Sequence, residues 1–484
     1  MTEKNNILII SENHHLVPKI LRVIENLDGK KSIISDKDNP AYEGAELIKT
    51  DFSNPAEITR AVTNVFAQTK ISHVILSLNP PKQTPNLIKE EDLMSMREAI
   101  LRYNDIIQSI LHNFKDNQVH LIVNLNIDFQ NPLTNLIFNN YALGILEGLR
   151  IEMHPYKPII NAIYAKFDDY DYEYHLKRVI NLSKQSKLVN NLSRKFYQLH
   201  VLNKKPIIKN RDTRVTRIKS PVAIITGASG GIGKEIAYLL ADNNWKVYSL
   251  SRKAIEDSKI VFLECNVKDA NAVAVRFQEI YEKHNCINLV INNSGYGIAG
   301  SLEMMNSSLF KDMLDLNTFA ALRIIKIAVP YLSKCSGRIF NIGSIAGLFA
   351  IPFQAGYALT KTLIDAYTEM LMPILNKENI QICNIMPGDT KTNFSNTRAK
   401  NKFFNLEQKY EARANASIAK MEKDELHGHS PVKVAKTLYR ELKKRNMNIK
   451  VAVGLKYKLL GFLATFLDPK MIEDLLYSMY AKNE

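Results

Sequence analysis

The sequence predicts an α/β protein with two tandem Rossmann-like, doubly wound parallel sheets, helices on both faces of each, and a helical C-terminal extension. Three observations support this fold class. Short apolar runs without polar alternation recur between helical patterns, which is typical of strands buried on both faces. A glycine-rich turn follows one of these runs, at residues 226–233. Landmark residues also recur in the two halves at a nearly constant separation.

Length and composition limit the alternatives. The chain has 484 residues, enough for two or three domains, and 46% of them are hydrophobic, as in ordinary globular proteins. The apolar runs are shorter than the ~18 residues that cross a bilayer, and the N-terminus lacks a signal-peptide pattern. The four cysteines show neither paired nor metal-ligand spacing, so we expect a cytoplasmic location and no metal site.

The first half begins with an apolar run at residues 6–10, which predicts a buried strand. The segment that follows, at residues 11–18, contains no glycine. Landmarks of this half match landmarks of the second half at separations of 214 to 216 residues. The matched pairs are Ser11 with Thr226, Asp51-Phe52 with Asn266-Val267, Asn79 with Asn293, and Tyr141 with Tyr357.

We interpret residues 1–180 as a degenerate, catalytically inactive copy of a nucleotide-binding domain. The phosphate-binding glycines are missing, and Ile145 stands where the second half has Lys361. The alternative is that any two doubly wound sheets would show similar spacing.

Residues 181–219 are predicted to be a basic linker. They contain eleven lysines and arginines and a single acid, Asp212. The linker is either a solvated connector or a strip that binds acidic lipid headgroups or the other half of the chain. Because it accounts for part of the net charge of +15, we do not expect nucleic-acid binding.

The predicted catalytic domain spans residues 220–484 and opens with the buried strand 222–225. Glycines in the following turn let the backbone approach a pyrophosphate, which the N–H groups at the start of the next helix would hold. The residues of this turn that we expect to bind a cofactor are Thr226, Gly227, Ser229, Gly231, Ile232 and Gly233.

The next strand ends at Ser251 and Arg252. A basic group at this position suits a 2′-phosphate, which favours NADP(H) over NAD(H), although Arg252 could instead be a surface cation. Further strand ends should contribute Asn266 and Val267 beside the adenine, and Asn293 and Gly295 further along the cleft.

Ser344 closely follows the apolar strand 338–342, and Tyr357 and Lys361 follow it with a four-residue spacing. On a helix this spacing puts phenol and ammonium on one face. A phenol with a pKa near 10 is a poor acid or base at neutral pH, and a neighbouring ammonium lowers that pKa. The pair therefore predicts that Tyr357 exchanges a proton with a substrate oxygen.

From about Pro221 to Glu484 the chain resembles the short-chain dehydrogenases/reductases. The resemblance rests on motifs that stand in the order of that family. They are Thr-Gly-x-x-x-Gly-x-Gly at 226–233, Asn-Asn-x-Gly at 292–295, Asn317, Ser344, Tyr357-x-x-x-Lys361 and Pro387-Gly388. Asn266 and Ser294 depart from the residues common in the family, Asp and Ala, but neither touches the reacting atoms.

The resemblance implies hydride transfer between a nicotinamide and a carbonyl or alcohol carbon. Tyr357 would be the acid/base, Ser344 would hydrogen-bond the substrate oxygen, and Lys361 would also bind the nicotinamide ribose. Asn317 would hold a water of the proton relay, unless it is only a hydrogen-bonding residue at a helix start. Pro387, Gly388, Thr390 and Thr392 would contact the carboxamide.

The C-terminal extension, residues 394–484, is predicted to contain a mobile helical lid at 394–425 and an amphipathic helix at 431–445. Residues 454–467 are apolar around most of their circumference, and a second short apolar helix is predicted after Asp468-Pro469, so that the apolar segment spans residues 454–480. They would lie on a membrane surface, or pack over the substrate pocket or a dimer partner. This tail resembles those of family members that act on lipid-like substrates, which favours a hydrophobic ketone or aldehyde.

Three hypotheses follow. The first is an NADP(H)-dependent carbonyl reductase or alcohol dehydrogenase in which the first half is a scaffold. The second is a non-enzymatic redox sensor, which predicts the loss of at least one of the four catalytic residues. The third gives the first half an activity of its own. The substrate, the favoured direction and the formation of a homo-oligomer stay open.

Overall fold

The computed structural model describes residues 6–12, 15–37, 42, 44–77, 90–113, 119–126, 159–165, 172, 176, 180, 220–255, 257–301, 305–348, 351–392, 399–400, 408–458 and 477–479. The chain divides into two compact units. One comprises Met1–His200 and Leu302–Ser307, and the other comprises Val201–Ser301 and Ser308–Glu484. Tyr141, Ile145 and the predicted basic linker lie outside the described residues, as do Asn79 and most of the segment 454–480.

The first unit contains a six-stranded parallel sheet in the order β3-β2-β1-β4-β5-β6. Its central strand β1 is buried at every residue because it is covered on both faces. The elements are β1 (Ile7–Ser11), α1 (Val17–Ile24), β2 (Lys31–Ser35), β3 (Glu46–Lys49), α2 (Pro55–Gln68), β4 (His73–Ser77), α3 (Glu90–His112), β5 (His120–Asn126) and β6 (Ile159–Ala165).

The second unit contains a seven-stranded parallel sheet in the order β15-β13-β12-β10-β7-β8-β9. Its strands are β7 (Val222–Thr226), β8 (Lys246–Ser251), β9 (Ile260–Glu264), β10 (Leu289–Asn292), β12 (Arg338–Ile342), β13 (Gln381–Pro387) and β15 (Lys450–Val453). The short strands β11 (Ile298–Ala299) and β14 (Ala399–Lys400) pair separately. Two parallel sheets of this kind confirm the predicted fold class.

Helices connect the strands of the second sheet. They are α4 (Gly231–Ala241), α5 (Ala270–His284), α6 (Ser307–Leu314), α7 (Ala320–Leu332), α8 (Ala355–Lys377), α9 (Gln408–Leu426) and α10 (Pro431–Leu442). The strand order reverses between β7 and β10, so the connections leave the sheet on opposite faces there and open a crevice at the carboxyl ends of the strands. The crevice is where the predicted site residues converge.

The cysteines differ from the expectation. Cys286 and Cys335 form a disulfide, with Cα atoms 6.1 Å apart, whereas Cys265 and Cys383 are buried free thiols. Both bonded cysteines lie three residues before a strand, and the register of those strands pairs Leu289 with Arg338. Strand pairing therefore brings together two residues whose separation in the sequence gave no sign of a bond.

The C-terminal extension contains the predicted helices in part. Helix α9 covers the second half of the predicted lid, and α10 begins after Ser430, whose hydroxyl accepts a hydrogen bond from the Val432 N–H at 3.3 Å. Val434, Leu438 and Leu442 of α10 are buried, as its amphipathic pattern predicts. In the described part of the chain, the helices are too short or too polar to cross a bilayer.

Candidate active site

A cavity of about 940 Å³ opens at the carboxyl ends of the central strands of the second unit. Most of the residues that the sequence nominates line it. They are Gly227, Ser229, Gly231, Ile232, Ser251, Arg252, Asn266, Val267, Asn293, Gly295, Ser344, Tyr357, Lys361, Pro387, Gly388, Thr390 and Thr392. Thr226, Gly233 and Asn317 do not line the cavity. They contact residues that do line it, namely Asn293 and Tyr296.

The turn after β7 needs glycine at three positions. Gly227 and Gly231 have φ angles of +66° and +55°, which residues with a Cβ rarely adopt. A Cβ at Gly233 would lie only 2.6 Å from the Gly227 carbonyl oxygen. The turn can therefore take its shape only with these glycines, which explains their spacing in the sequence.

Buried polar groups hold this turn from beneath. The Thr226 hydroxyl accepts hydrogen bonds from the backbone N–H groups of Asn293 and Ser294, at 2.9 and 3.0 Å. The Asn293 amide donates in return to the Thr226 and Gly227 carbonyls, both at 3.0 Å. These hydrogen bonds thus join the ends of β7 and β10 and hold the turn in its observed conformation.

The first turn of α4 presents backbone N–H groups beside the cavity. It follows Gly230, which has no side chain to cap them. The position of a Cβ on Gly231 would lie 3.5 Å from Thr392, so a hydroxyl residue faces this helix start. This helix start fits the diphosphate of a dinucleotide. Its free N–H groups and the positive end of the helix dipole attract the anion, and the absence of Cβ atoms lets the anion come close.

The end of the cavity that Arg252 lines holds a charged cluster that the sequence did not reveal. The Asp312 carboxylate pairs with the Lys268 ammonium and accepts a hydrogen bond from the Tyr296 phenol at 3.1 Å. The Lys268 hydrogen bond is the main cause that lowers the pKa of Asp312, and the charge of Arg252 also contributes. Burial, together with Asp312, raises the pKa of Tyr296. Lys268 and Tyr296 directly follow predicted motifs, whereas Asp312 had no sequence signal.

At the other end, α8 carries Tyr357 and Lys361 into the same part of the cavity. The Lys361 ammonium lies 5.7 Å from the centre of the Tyr357 ring and donates a hydrogen bond to the Ile342 carbonyl at 2.8 Å. Only 6% of Lys361 is exposed, and this burial lowers its pKa to about 8. Its amine is therefore held in one place by the end of β12.

Ser344 reaches the cavity two residues after β12. It begins a short 3₁₀ turn, Ile345–Gly347, and its hydroxyl accepts a hydrogen bond from the Ala346 N–H at 3.1 Å. The contact fixes the side chain while leaving the hydroxyl hydrogen able to point towards a ligand. The hydroxyl of Ser344, the phenol of Tyr357 and the ammonium of Lys361 thus belong to residues that line one cavity.

Asn317 lies in a π-helical turn, Asp315–Phe319, between α6 and α7. Its amide oxygen accepts from the Tyr296 N–H at 3.0 Å, and its amide nitrogen donates to the Tyr296 carbonyl at 2.8 Å and to the Thr360 hydroxyl at 3.1 Å. The side chain therefore joins the loop after β10 to α8. These hydrogen bonds do not decide between the two predicted roles of Asn317, at a helix start or beside a relay water, and both stay predictions.

The C-terminal extension also contributes to the cavity. Glu425, at the end of α9, and Lys456, Tyr457 and Met479 line it. Lys420 of α9 hydrogen-bonds the Met479 carbonyl, which connects the lid helix to the end of the chain. The described parts of this extension thus line the cavity, and the role of the segment 454–480 at a membrane surface or over the substrate pocket stays a prediction.

Comparison with known proteins gives consistent results. The family model described as short chain dehydrogenase matches residues 221–402. The 3-ketodihydrosphingosine reductase of Bacteroides thetaiotaomicron is 30% identical over 235 residues, covering 48% of this chain and 87% of that protein. The probable short-chain type dehydrogenase/reductase VdlC of Helicobacter pylori is 34% identical over 186 residues, covering 37% of this chain and 69% of that protein.

A solved structure resembles both halves of the chain. It is an N-terminal ketoreductase from a macrolactin assembly line, with a TM-score of 0.63, 12% sequence identity, and coverage of 96% of this chain and 90% of that chain. At this identity the likeness concerns the fold alone.

Proposed function

Because the chain belongs to the short-chain dehydrogenase/reductase family through its C-terminal half, and is thereby an oxidoreductase, we propose that it reduces a hydrophobic ketone or aldehyde with NADPH, or catalyses the reverse oxidation. The observation that carries this proposal is the buried Lys361 ammonium beside Tyr357, in the cavity that Ser344 also lines. These are the groups that carbonyl reduction requires.

Side chains of this protein would hydrogen-bond and protonate the substrate oxygen. A bound nicotinamide supplies the hydride that adds to the carbonyl carbon. As negative charge develops on the oxygen, the Tyr357 phenol donates its proton to it and Ser344 donates a hydrogen bond. The Lys361 ammonium stabilises the phenolate that is left, because opposite charges attract strongly in a buried site. Alcohol oxidation uses the same groups in reverse.

Charge at the end of β8 supports NADP(H) rather than NAD(H). Arg252 and Lys253 are exposed and both line the cavity, where they would form charge-assisted hydrogen bonds with a 2′-phosphate. Asp312 partly offsets this positive field. The proposed preference is tested by comparing kcat/KM for NADPH and NADH with one carbonyl substrate. Equal values would contradict it.

The proposed substrate class rests on lining residues and on a relative. Ile345, Ala346, Ile351 and Met479 give part of the cavity an apolar wall. The relative from Bacteroides thetaiotaomicron is named for a ketone of a long-chain base. We therefore expect long-chain ketones to be better substrates than short polar ones.

The decisive assay follows NADPH oxidation by the full chain with a panel of carbonyl compounds. The panel contains 3-ketodihydrosphingosine, a steroid ketone, a long-chain aldehyde and a short polar ketone. Turnover of at least one hydrophobic member supports the proposal. NADPH binding without turnover of any member would favour the non-enzymatic sensor instead.

A further inference from the structure

A tyrosine from the C-terminal extension packs on the turn that follows β13. The Tyr457 ring lies so close to Gly388 that a Cβ on this glycine would be 2.5 Å from ring atom Cδ2. Tyr457 is 8% exposed. Because Gly388 has no side chain, the Tyr457 ring packs directly against its backbone. A shift of either the ring or the Gly388 backbone would therefore displace the other.

The hydroxyl of the same tyrosine binds the next residue of the turn twice. It accepts a hydrogen bond from the Asp389 N–H at 3.1 Å and donates one to the Asp389 carboxylate. Because ring and hydroxyl act on consecutive residues, Tyr457 fixes both the position of the turn and the orientation of its peptide group.

The other side of the turn is held by His429. Its backbone N–H donates to the Asp389 carbonyl at 2.9 Å, and its carbonyl accepts from the Lys391 N–H at 2.9 Å. The imidazole ring stands nearly perpendicular to the Tyr457 ring, with centres 6.3 Å apart. The turn is therefore held from two sides by segments that follow it in the sequence.

The end of β15 places Tyr457 in this position. Strand β15 pairs with β13 up to the contact of Pro387 with Val453. Gly454 then adopts a φ of +102°, and the Lys458 N–H donates to its carbonyl at 3.1 Å. Residues 455–458 thus form a helical turn directly after Gly454, and this turn places Tyr457 over the end of β13.

We propose that Tyr457 is a positioning residue for the nicotinamide half of the cofactor site. It holds Gly388 and Asp389 in the conformation that receives the carboxamide, and so makes the C-terminal extension part of the cofactor site. The inference rests on the proposed function, since it concerns how NADP(H) is bound. It predicts that the loss of one hydroxyl weakens the binding of the nicotinamide half while the adenine half binds normally.

The test uses Tyr457→Phe, which keeps the ring and removes the hydroxyl. Titration calorimetry on the full chain measures Kd for NADPH and for adenosine 2′,5′-bisphosphate, which lacks the nicotinamide. We expect Kd for NADPH to rise about tenfold, which is ~1.4 kcal/mol, and Kd for the bisphosphate to stay within about twofold. Tyr439→Phe, on α10 and away from the cavity lining, is the matched control and should change neither value.

Two outcomes overturn the inference alone. They are an unchanged NADPH affinity, and an equal loss for both ligands, which would indicate a general structural role. Wild-type protein that fails to bind NADPH would instead overturn the proposed function and the inference with it. A double-mutant cycle with Tyr457→Phe and Asp389→Asn adds a second check. The variant that carries both substitutions should lose no more NADPH affinity than Tyr457→Phe alone.

Discussion

Lys361 is the residue whose surroundings matter most for the proposed chemistry. Its amine is buried in a site where water cannot solvate the charge, and the Ile342 carbonyl is its described hydrogen-bond acceptor. Burial of a cation costs free energy unless the charge is paired with an opposite charge and hydrogen-bonded. The cost is consistent with a group kept for catalysis rather than for stability.

Replacing Tyr357 with Phe removes the acid/base and keeps the ring. We expect kcat to fall at least a hundredfold, since proton transfer by a placed group contributes about that much or more. The Kd for NADPH should change by less than about threefold. Steady-state kinetics and calorimetry measure the two quantities, and Tyr331→Phe, on α7 and outside the cavity lining, is a suitable control. Turnover that survives in Tyr357→Phe would refute the role of Tyr357.

The pKa of Lys361 gives a pH dependence. Burial lowers this pKa from its ordinary value to about 8, so the amine is mostly charged below pH 8 and mostly neutral above it. The neutral amine no longer stabilises the Tyr357 phenolate. We therefore expect kcat for carbonyl reduction to decline as pH rises through about 8, as measured under saturating NADPH. A flat profile up to pH 10 would contradict the proposed role of the ammonium.

At the scale of elements, α8 has to keep its register on the sheet if Tyr357 is to meet Ser344. A buried ion cluster provides this attachment. Lys450 of β15 pairs with Asp365 and with Glu369, the latter at 2.5 Å, and Asn384 of β13 donates to Asp365 at 2.9 Å. Burial lowers the pKa of Lys450, but the two carboxylates more than offset this and the net shift is upwards.

Replacing Lys450 with Met would leave two carboxylates buried beside each other. We expect the free energy of unfolding to fall by about 3–5 kcal/mol, because an unpaired buried charge is costly. Thermal and denaturant unfolding measure this loss. The variant that also carries Asp365→Asn and Glu369→Gln should recover much of the stability, since no charge is then left unpaired. A failure to recover would mean that packing, and not charge, explains the loss.

At the scale of the whole molecule, two sheets of related strand order carry different residues at the end of their first strand. In the second unit β7 ends in the glycine turn, whereas in the first unit β1 is followed by Glu12, whose carboxylate pairs with Arg102 at 2.9 Å. The second unit has Gly227 at this place, and a residue with a side chain here leaves less room for a diphosphate to approach the backbone. The difference supports the proposal that residues 1–180 form a scaffold without catalysis of their own.

We therefore expect each full chain to bind one NADPH. Calorimetric titration gives the stoichiometry directly, and a chain with Gly233→Val, in which the larger side chain would clash with the Gly227 carbonyl, should bind none. Two equivalents per chain, or one equivalent left in Gly233→Val, would show that the first unit binds a nucleotide.

Several features could be predicted from the sequence because they depend on local spacing. The buried parallel strands follow from apolar runs, the glycine turn follows from three glycines, and the pairing of Tyr357 with Lys361 follows from one helical turn. The doubly wound class of both sheets follows from alternating strands and helices, whereas the order of the strands comes from the structure. The family resemblance of the second half rests on the same short motifs.

Contacts between distant segments could not be predicted in this way. Tyr457 and Asp389 are 68 residues apart, Asp312 and Lys268 are 44 apart, and the bonded cysteines are 49 apart. Each pair meets only because particular strands are neighbours in a particular register, which no spacing along the chain encodes.

The sequence by itself thus determined the fold class, two doubly wound parallel sheets, and the residues that can perform the proposed chemistry. Both depend on residues that are only a few positions apart in the chain. The tertiary structure decided how those residues are held: Asn317 behind the cavity, Asp312 beside Arg252, and Tyr457 against the turn that follows β13. The physical reason is that side chains far apart in the chain gain their contacts only when the whole sheet has formed.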